Sequence, residues 1–453
     1  MGNLEDTIAA ISTGTGGAVS IIRISGSDSL AIGNSIWHGA LKLSPRNRRK
    51  AILGKCTSRN PLFSEQAIAI FYQAPHSYTG DDVVEIQCHG GALVTRKVLE
   101  IALMAGARQA APGEFTFRAF MNGKLDLTQA EAVCDIISAQ SSMALNLAER
   151  QAAGILGRNV HEIRSLLVNV LSECESRMDF GEENLDWQSP KKLISTIDKA
   201  SEGISALLKY RTEGAVLREG VRVVIAGKPN VGKSSLLNLL LGYDRAIVTS
   251  LPGTTRDTVE ELASIRNIPV RLIDTAGIRE ADNIIENKGI ERSLASIKQA
   301  QIILWLLDVS ANPTAEIKTL NEHASGKENV IAVWNKTDLL AKSAKLPATG
   351  IETVKISIEE RSGIDELMDH IEKMIWGYPH ASEPETAVSS RHAALLVEAL
   401  EAVPGAVEKI RSQEWELASV NLRAAISALG RITGEDASPD ILDEIFSRFC
   451  IGK

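Results

Sequence analysis

The chain has 453 residues, about three times the ~150 of a typical domain, so a single core is not expected. Hydrophobic residues make up 44% and charged residues 23%, a globular balance that excludes disorder as the dominant state. The net charge of −8 argues against a strongly basic nucleic-acid binder but leaves a local RNA-binding patch open.

Residues 1–124 read as mixed α/β. Strands are predicted at 18–24 and 83–88, the second stopped by His89-Gly90-Gly91, and a helix at 93–104. Between them Lys42, Arg46, Arg48, Arg49, Lys50, Lys55 and Arg59 occur without an acid. A solvated loop is preferred to a tRNA-phosphate contact there, because phosphate contacts need fixed geometry. Residues 125–219 read as helical. Leu156, Val160, Ile163, Leu167, Val170 and Cys174 step by four and three, one face of a long helix packed in a bundle. His161 and Glu162 fall on its surface, and the acidic stretch 173–186 reads as a solvated helix end and loop. Residues 220–379 alternate apolar strands with amphipathic segments, the pattern of a parallel sheet with crossover helices. Residues 380–453 are helical again, so the α/β domain is expected to be inserted into one helical domain.

No segment is apolar enough to span a membrane, and the first residues carry no secretory pattern, so a cytoplasmic protein is expected. Cys56, Cys88, Cys134, Cys174 and Cys450 are odd in number, widely spaced and without a Cys-x-x-Cys pair. Neither a zinc site nor a disulfide framework is expected. Cys450 stands fourth from the end, but Gly452 and Lys453 do not make a prenylation box.

The inserted domain carries the strongest chemical signal. Gly227-Lys228-Pro229-Asn230-Val231-Gly232-Lys233-Ser234 fits G-x-x-x-x-G-K-[ST], after a predicted strand and before the helical Ser235-Leu236-Leu237. Such a loop curls successive N–H groups around phosphate oxygens. Lys233 supplies charge to the β/γ-phosphates, and Ser234 offers a hydroxyl to Mg²⁺. Asp274-Thr275-Ala276-Gly277 follows Leu272-Ile273; its acid suits water-mediated Mg²⁺ binding and its Gly277 N–H the γ-phosphate. Asn335-Lys336-Thr337-Asp338 follows another apolar run. The Asp338 carboxylate accepts the two N–H groups of guanine, a donor pair that adenine lacks. Thr255 is the candidate that closes on Mg²⁺. Ser357, followed by Ile358 rather than alanine, is the candidate for the last guanine-facing loop. Together these boxes predict a GTPase. Ile278 stands where many regulatory GTPases place a water-orienting glutamine, so hydrolysis must be assisted differently.

Outside these boxes stand Ser77-Tyr78-Thr79-Gly80-Asp81-Asp82, Glu85-Ile86-Gln87-Cys88-His89-Gly90-Gly91, Pro112-Gly113-Glu114-Phe115, Arg118-Ala119-Phe120-Met121-Asn122-Gly123-Lys124 and the ending Phe449-Cys450-Ile451-Gly452-Lys453. With them the whole chain resembles the MnmE (TrmE) family of tRNA-modification GTPases. The resemblance implies an N-terminal α/β domain (1–124) that binds folate and dimerises, a helical-bundle domain (125–219 plus 380–453) and an inserted Ras-like P-loop G domain (220–379). It implies a homodimer acting with the flavoprotein MnmG (GidA) as a heterotetramer. The implied product is an aminomethyl or carboxymethylaminomethyl group at C5 of the wobble uridine of certain tRNAs, with 5-formyltetrahydrofolate or a related reduced folate as carbon source.

Site residues follow from the same resemblance. Asn230, Thr249, Leu251 and Thr254 would hold K⁺ beside the phosphates, with Arg256 and Arg279 the rival positive charges. Glu286, which by itself reads as a surface helix residue, would orient water. Arg23, Glu85, Lys124 and Lys453 would line the folate pocket, although Glu85 alone reads as a solvated strand position. Cys450 would act as nucleophile or acid/base near the one-carbon unit, against the plainer reading of a mobile tail thiol. The runner-up function is a GTP-dependent switch in ribosome assembly, of the Era-like group. The N-terminal segment and the cysteine tail favour the first reading.

Overall fold

The computed structural model describes residues 5–14, 16–59, 62–180, 186–243, 260–274, 299–324, 326–340, 346–377 and 386–452, with the backbone alone at Tyr243, Glu260, Asp274, His323 and Ala324. Two compact units form. One comprises Met1–Cys134, Ala152–Ser205 and Ala394–Lys453; the other comprises Asp135–Gln151 and Ala206–Ala393.

The first unit holds a seven-stranded sheet in the order β3-β4-β5-β6-β2-β1-β7. Its strands are β1 (Ile8–Ile11), β2 (Val19–Ser25), β3 (Trp37–Gly39), β4 (Ile52–Arg59), β5 (Leu62–Tyr72), β6 (Val83–His89) and β7 (Arg108–Gln109). Alternation in β2 and β6 sends Ile22, Ile24, Val84 and Ile86 into the core with Val98 and Ile101 of the helix Ala92–Met104. Arg23 and Glu85 therefore fall on the opposite face, and the antiparallel register pairs them directly. The basic segment differs from the expected loop. Ile52–Arg59 is strand, paired with both β3 and β5, because Ile52 and Cys56 are buried on one face while Lys55 and Arg59 stay exposed.

The predicted stripe lies on the helix Ile155–Asp179, where all six of its residues are buried. This helix packs along Trp415–Thr433. His161 and Glu162 are exposed. Of the acidic stretch, Glu173 pairs with Arg177 and Glu175 with Arg423, and residues 181–185 lie outside the described residues. The final helix, Pro439–Ser447, sets the Phe446 ring edge-on to Phe117 at 5.3 Å and beside Phe449 at 5.4 Å. Beyond it Ile451 bridges Pro112, and Gly113 N–H donates to the Cys450 carbonyl at 3.4 Å.

Glu114 opens the helix Glu114–Met121 and is almost wholly buried. Burial alone would raise its pKa. Hydrogen bonds from Arg108 and the Ala111 N–H, with the charges of Arg108 and Arg118, outweigh burial and hold it below the ordinary 4.5. A depressed folded-state pKa contributes stability that is complete above the unfolded value and is lost as pH falls through the folded one. Urea titrations of the intact protein should show stability falling as the pH drops below about 4.5, and Glu114→Gln should flatten that acid limb. An unchanged slope in the variant would remove Glu114 from the account.

The second unit is built on a six-stranded sheet in the order β13-β12-β11-β8-β10-β9. These are β8 (Val221–Gly227), β9 (Glu260–Ile265), β10 (Ile268–Asp274), β11 (Ile302–Asp308), β12 (Val330–Asn335) and β13 (Thr353–Lys355). β13, β12, β11, β8 and β10 run parallel, as the near-continuous apolar runs predict. Edge strand β9 is antiparallel to β10, which corrects the all-parallel expectation. Arg266 and Asn267 at φ 50° and 64° form a two-residue turn whose twist suits a hairpin, so no crossover is made. Leu147 and Ala387 pack into the same core as β8.

Candidate functional site

The carboxyl ends of β8, β11 and β12 meet at one edge of the second sheet, where open α/β sheets bind ligands. The loop 227–233 curls through Gly227, Asn230 and Gly232 at φ 141°, 62° and 103°. Gly232 is required, since a Cβ there would sit 2.5 Å from Asn335 Nδ2. Val231 is buried and anchors the loop, while Ser234 and Ser235 are exposed at the start of the helix Lys233–Tyr243. Buried Lys233 donates from Nζ to the carbonyls of Gly227 at 3.0 Å and Lys228 at 2.7 Å. Its ammonium is thus placed inside the loop that would receive phosphates.

The loop 227–233 and the Asn335–Asp338 loop are tied together. Asn335 Nδ2 donates to Val231 O at 2.9 Å, and its Oδ1 accepts from Ile358 N–H at 3.3 Å. Lys336, at φ 65°, donates to Asn230 O at 3.3 Å and to Asp308 Oδ2 at 2.6 Å. Buried Ser357 donates to Asp338 Oδ1 at 2.5 Å and accepts from Glu360 N–H at 3.1 Å. The Ser357 loop therefore orients Asp338 although the usual alanine is absent. Lys228 forms an ion pair with buried Glu316 at 2.7 Å. Burial would raise the Asp308 carboxyl, but hydrogen bonds from Lys336 and Ser310 hold it below the ordinary aspartate value.

On the other face of the first sheet, Arg23 Nε donates to Glu85 Oε1 at 2.9 Å, and Tyr72 OH donates to Glu85 Oε2 at 3.4 Å. The Arg23 guanidinium lies 5.4 Å from the Tyr78 ring centre and 5.6 Å from that of Phe115. Tyr78 OH and Thr116 Oγ1 are 2.8 Å apart. Burial, and then the Glu85 charge, push the Tyr72 phenol up; burial also raises Tyr78. Lys124 donates to Pro75 O at 3.0 Å, placing it on the segment that leads to Tyr78.

The chain matches the TrmE N-terminal family model over residues 7–124 and the MnmE helical-domain model over residues 127–450. It is similar over 99% of its length to curated proteins called tRNA modification GTPase MnmE. These include the Natranaerobius thermophilus protein (40% identical) and those of Aquifex aeolicus (40%) and Geobacter sulfurreducens (43%), each covered completely. The chain belongs to the MnmE family of tRNA modification GTPases. It has the family's architecture: an N-terminal TrmE domain, a helical MnmE domain and a P-loop G domain.

In this MnmE member the structure brings Asn230, Val231, Gly232, Lys233, Asn335 and Lys336 together, with Asp338 on Ser357 alongside. It brings Arg23 to Glu85. Thr249, Leu251, Thr254, Thr255, Thr275, Ala276, Gly277, Glu286 and Lys453 lie outside the described residues, as do Arg256, Ile278 and Arg279, and Asp274 is described in backbone only. Among the described residues no metal-type cluster of His, Cys, Asp and Glu forms, and no helix is long and apolar enough to cross a membrane. Asp308 and Glu316 beside the phosphate loop and Tyr72 beside Glu85 lie outside the sequence motifs, while Lys228, Tyr78 and Phe115 stand within them without their partners Glu316 and Arg23 being legible there. Asp308 ends an apolar strand beside the phosphate loop, a position that could have marked it; the others required the tertiary contacts.

Proposed function

We propose that this chain binds and hydrolyses GTP with Mg²⁺ and K⁺. The cycle serves tRNA modification, the addition of an aminomethyl or carboxymethylaminomethyl group at C5 of the wobble uridine. The working form is a homodimer joined to the flavoprotein MnmG (GidA) as a heterotetramer in the cytoplasm, with 5-formyltetrahydrofolate or a related reduced folate as carbon source. Residues 1–124 form the folate and dimerisation domain, 125–219 with 380–453 the helical domain, and 220–379 the G domain. The observation that supports the nucleotide reading is the join at Asn335: one side chain bonds both the phosphate-loop motif and the loop at Ile358, so the motif residues stand at one sheet edge.

Each group has a role in this scheme. Lys233 would meet the β/γ-phosphates, and Ser234, Thr255 and Asp274 would hold Mg²⁺, which would neutralise phosphate charge. The main-chain N–H groups of 230–235 and 275–277 receive phosphate oxygens. Asn230, Thr249, Leu251 and Thr254 would hold K⁺, and the chemistry it would supply is positive charge beside the phosphates. Glu286 orients the attacking water. Turnover should rise at least about tenfold when Na⁺ is replaced by K⁺, because an arginine finger in the same role is worth about 10³–10⁵. Asn230→Ala should remove the difference. Equal turnover in the two salts, with loss on Arg256→Ala or Arg279→Ala, would move the role to arginine.

Glu85 reads the pterin edge, while Arg23, Lys124 and Lys453 complete the pocket. A flat ligand rich in donors and acceptors needs a few fixed polar groups beside apolar or aromatic walls. The Arg23–Glu85 pair with the rings of Tyr78 and Phe115 fits that need. Glu85→Ala should weaken 5-formyltetrahydrofolate binding about tenfold or more by calorimetry, with GTP turnover unchanged. Full affinity in that variant would place the pocket elsewhere.

A further inference from the structure

Among the described residues, Arg118 is the only fully buried arginine, 1% exposed. Its Nη2 donates to Glu114 Oε1 at 3.2 Å, and its Nη1 lies 3.8 Å from Asp81 Oδ2. Nε and Nη1 are sealed from solvent without a hydrogen-bond acceptor. A guanidinium carries five donors, so this one is undersupplied, and such burial is costly. Stability alone does not call for it, because well-packed apolar groups commonly serve a core as well as a buried ion pair. What it supplies is a connection between two elements.

Those elements are the segment 74–82 and the helix Glu114–Met121. The segment carries Asp81 and Tyr78; the helix carries Glu114, Phe115 and Thr116. Asn122, just past the helix, donates from Nδ2 to Thr79 O at 2.8 Å and to Asp81 Oδ1 at 3.0 Å. Glu114 is fixed in turn by Arg108 at 2.6 Å and by Ala111 N–H at 2.8 Å. Arg108 also pairs with Asp6 at 3.2 Å. Arg118 thus stands between an anchored carboxylate and the only acid of the segment that approaches it.

We infer that Arg118 is a positioning residue for the Arg23–Glu85 site: by joining Asp81 to Glu114 it fixes the segment against the helix, and so sets the rings of Tyr78 and Phe115 over Arg23. This rests on reading that site as the folate pocket. The polar partners of Arg118 are Glu114 and Asp81, so it acts on Arg23 and Glu85 through the two elements that cover them.

The test uses the full chain, with 5-formyltetrahydrofolate affinity by calorimetry and amide hydrogen exchange over residues 74–82. Arg118→Gln and Asp81→Asn should each weaken binding about tenfold and speed exchange in that segment, and the double variant should be no worse than the worse single one. Arg118→Lys, which keeps the charge but not the fork, should recover part of both readouts. GTP turnover should stay at the wild-type rate throughout. Wild-type affinity and protection in Arg118→Gln, or fully additive losses in the double variant, would overturn the inference. If Arg118→Gln does not fold, Asp81→Asn at the more exposed end decides alone: unchanged values there overturn it. A wild-type protein that binds no folate would instead sink the pocket assignment, while the exchange data would still read the Arg118 coupling.

Discussion

Replacing Asp338 by asparagine is expected to lower GTP turnover at fixed substrate by about 10⁴ and to make XTP the better substrate. In the proposed role the carboxylate would accept the N1–H and N2–H of guanine; an amide would put a donor where guanine also donates, and xanthine's extra carbonyl would accept that donor instead. The effect should be large because the group is held in place. Asp338 Oδ1 takes the hydroxyl of buried Ser357, and Ser357 is itself fixed by paired main-chain hydrogen bonds with Ser362 at 3.0 and 3.1 Å. A site built to hydrogen-bond one base rejects another because its own polar groups are left unpaired. Steady-state kinetics with GTP, XTP and ATP check this. Normal GTP hydrolysis by the variant, without gain on XTP, would show that this loop does not read the base.

Cys450→Ser should reduce wobble-uridine modification by about 10²–10⁴, the range of a lost acid, base or activated nucleophile, while GTP hydrolysis stays intact. The five thiols differ in what they can do. Burial pushes Cys56 up to about 12 and Cys88 and Cys174 to about 11, so none of the three offers a thiolate near neutral pH. Cys450 is exposed. It is also held in place. Its carbonyl takes Gly113 N–H, Ile451 bridges Pro112, and Gly452 turns at φ 96° so close to Ile11 that a Cβ would lie 2.1 Å from the Ile11 carbonyl. The tail's backbone therefore docks on the N-terminal sheet, with the Cys450 side chain exposed. Mass spectrometry of tRNA nucleosides, in cells carrying only the variant, is the measurement. Modification at the normal rate would reduce Cys450 to a bystander.

Local chemistry makes much of this protein legible in its sequence. The helix Ile155–Asp179 and its buried stripe follow from 3.6-residue periodicity, and β8, β11 and β12 from apolar runs. Contiguous motifs are read the same way: Gly227 to Ser234 and Asn335 to Asp338 carry their chemistry in spacing alone. Glu85 was not legible on those terms. An acid in an alternating strand looks solvated until antiparallel register sets Arg23 opposite it and Tyr72 beside it. The antiparallel edge strand β9 was not legible in the apolar runs, because its direction is set by two residues with positive φ that turn the chain back. Arg118 carries no signal of its own: its i,i+4 spacing from Glu114 is visible in the sequence, but its approach to Asp81 and its burial arise only when the segment 74–82 packs on the helix. Periodicity and motif spacing report what neighbouring residues do to one another. Burial, register and pairing between residues such as Arg23 and Glu85, 62 positions apart, arise only when chain segments pack, and it is packing that turned these ordinary charges into candidate site residues.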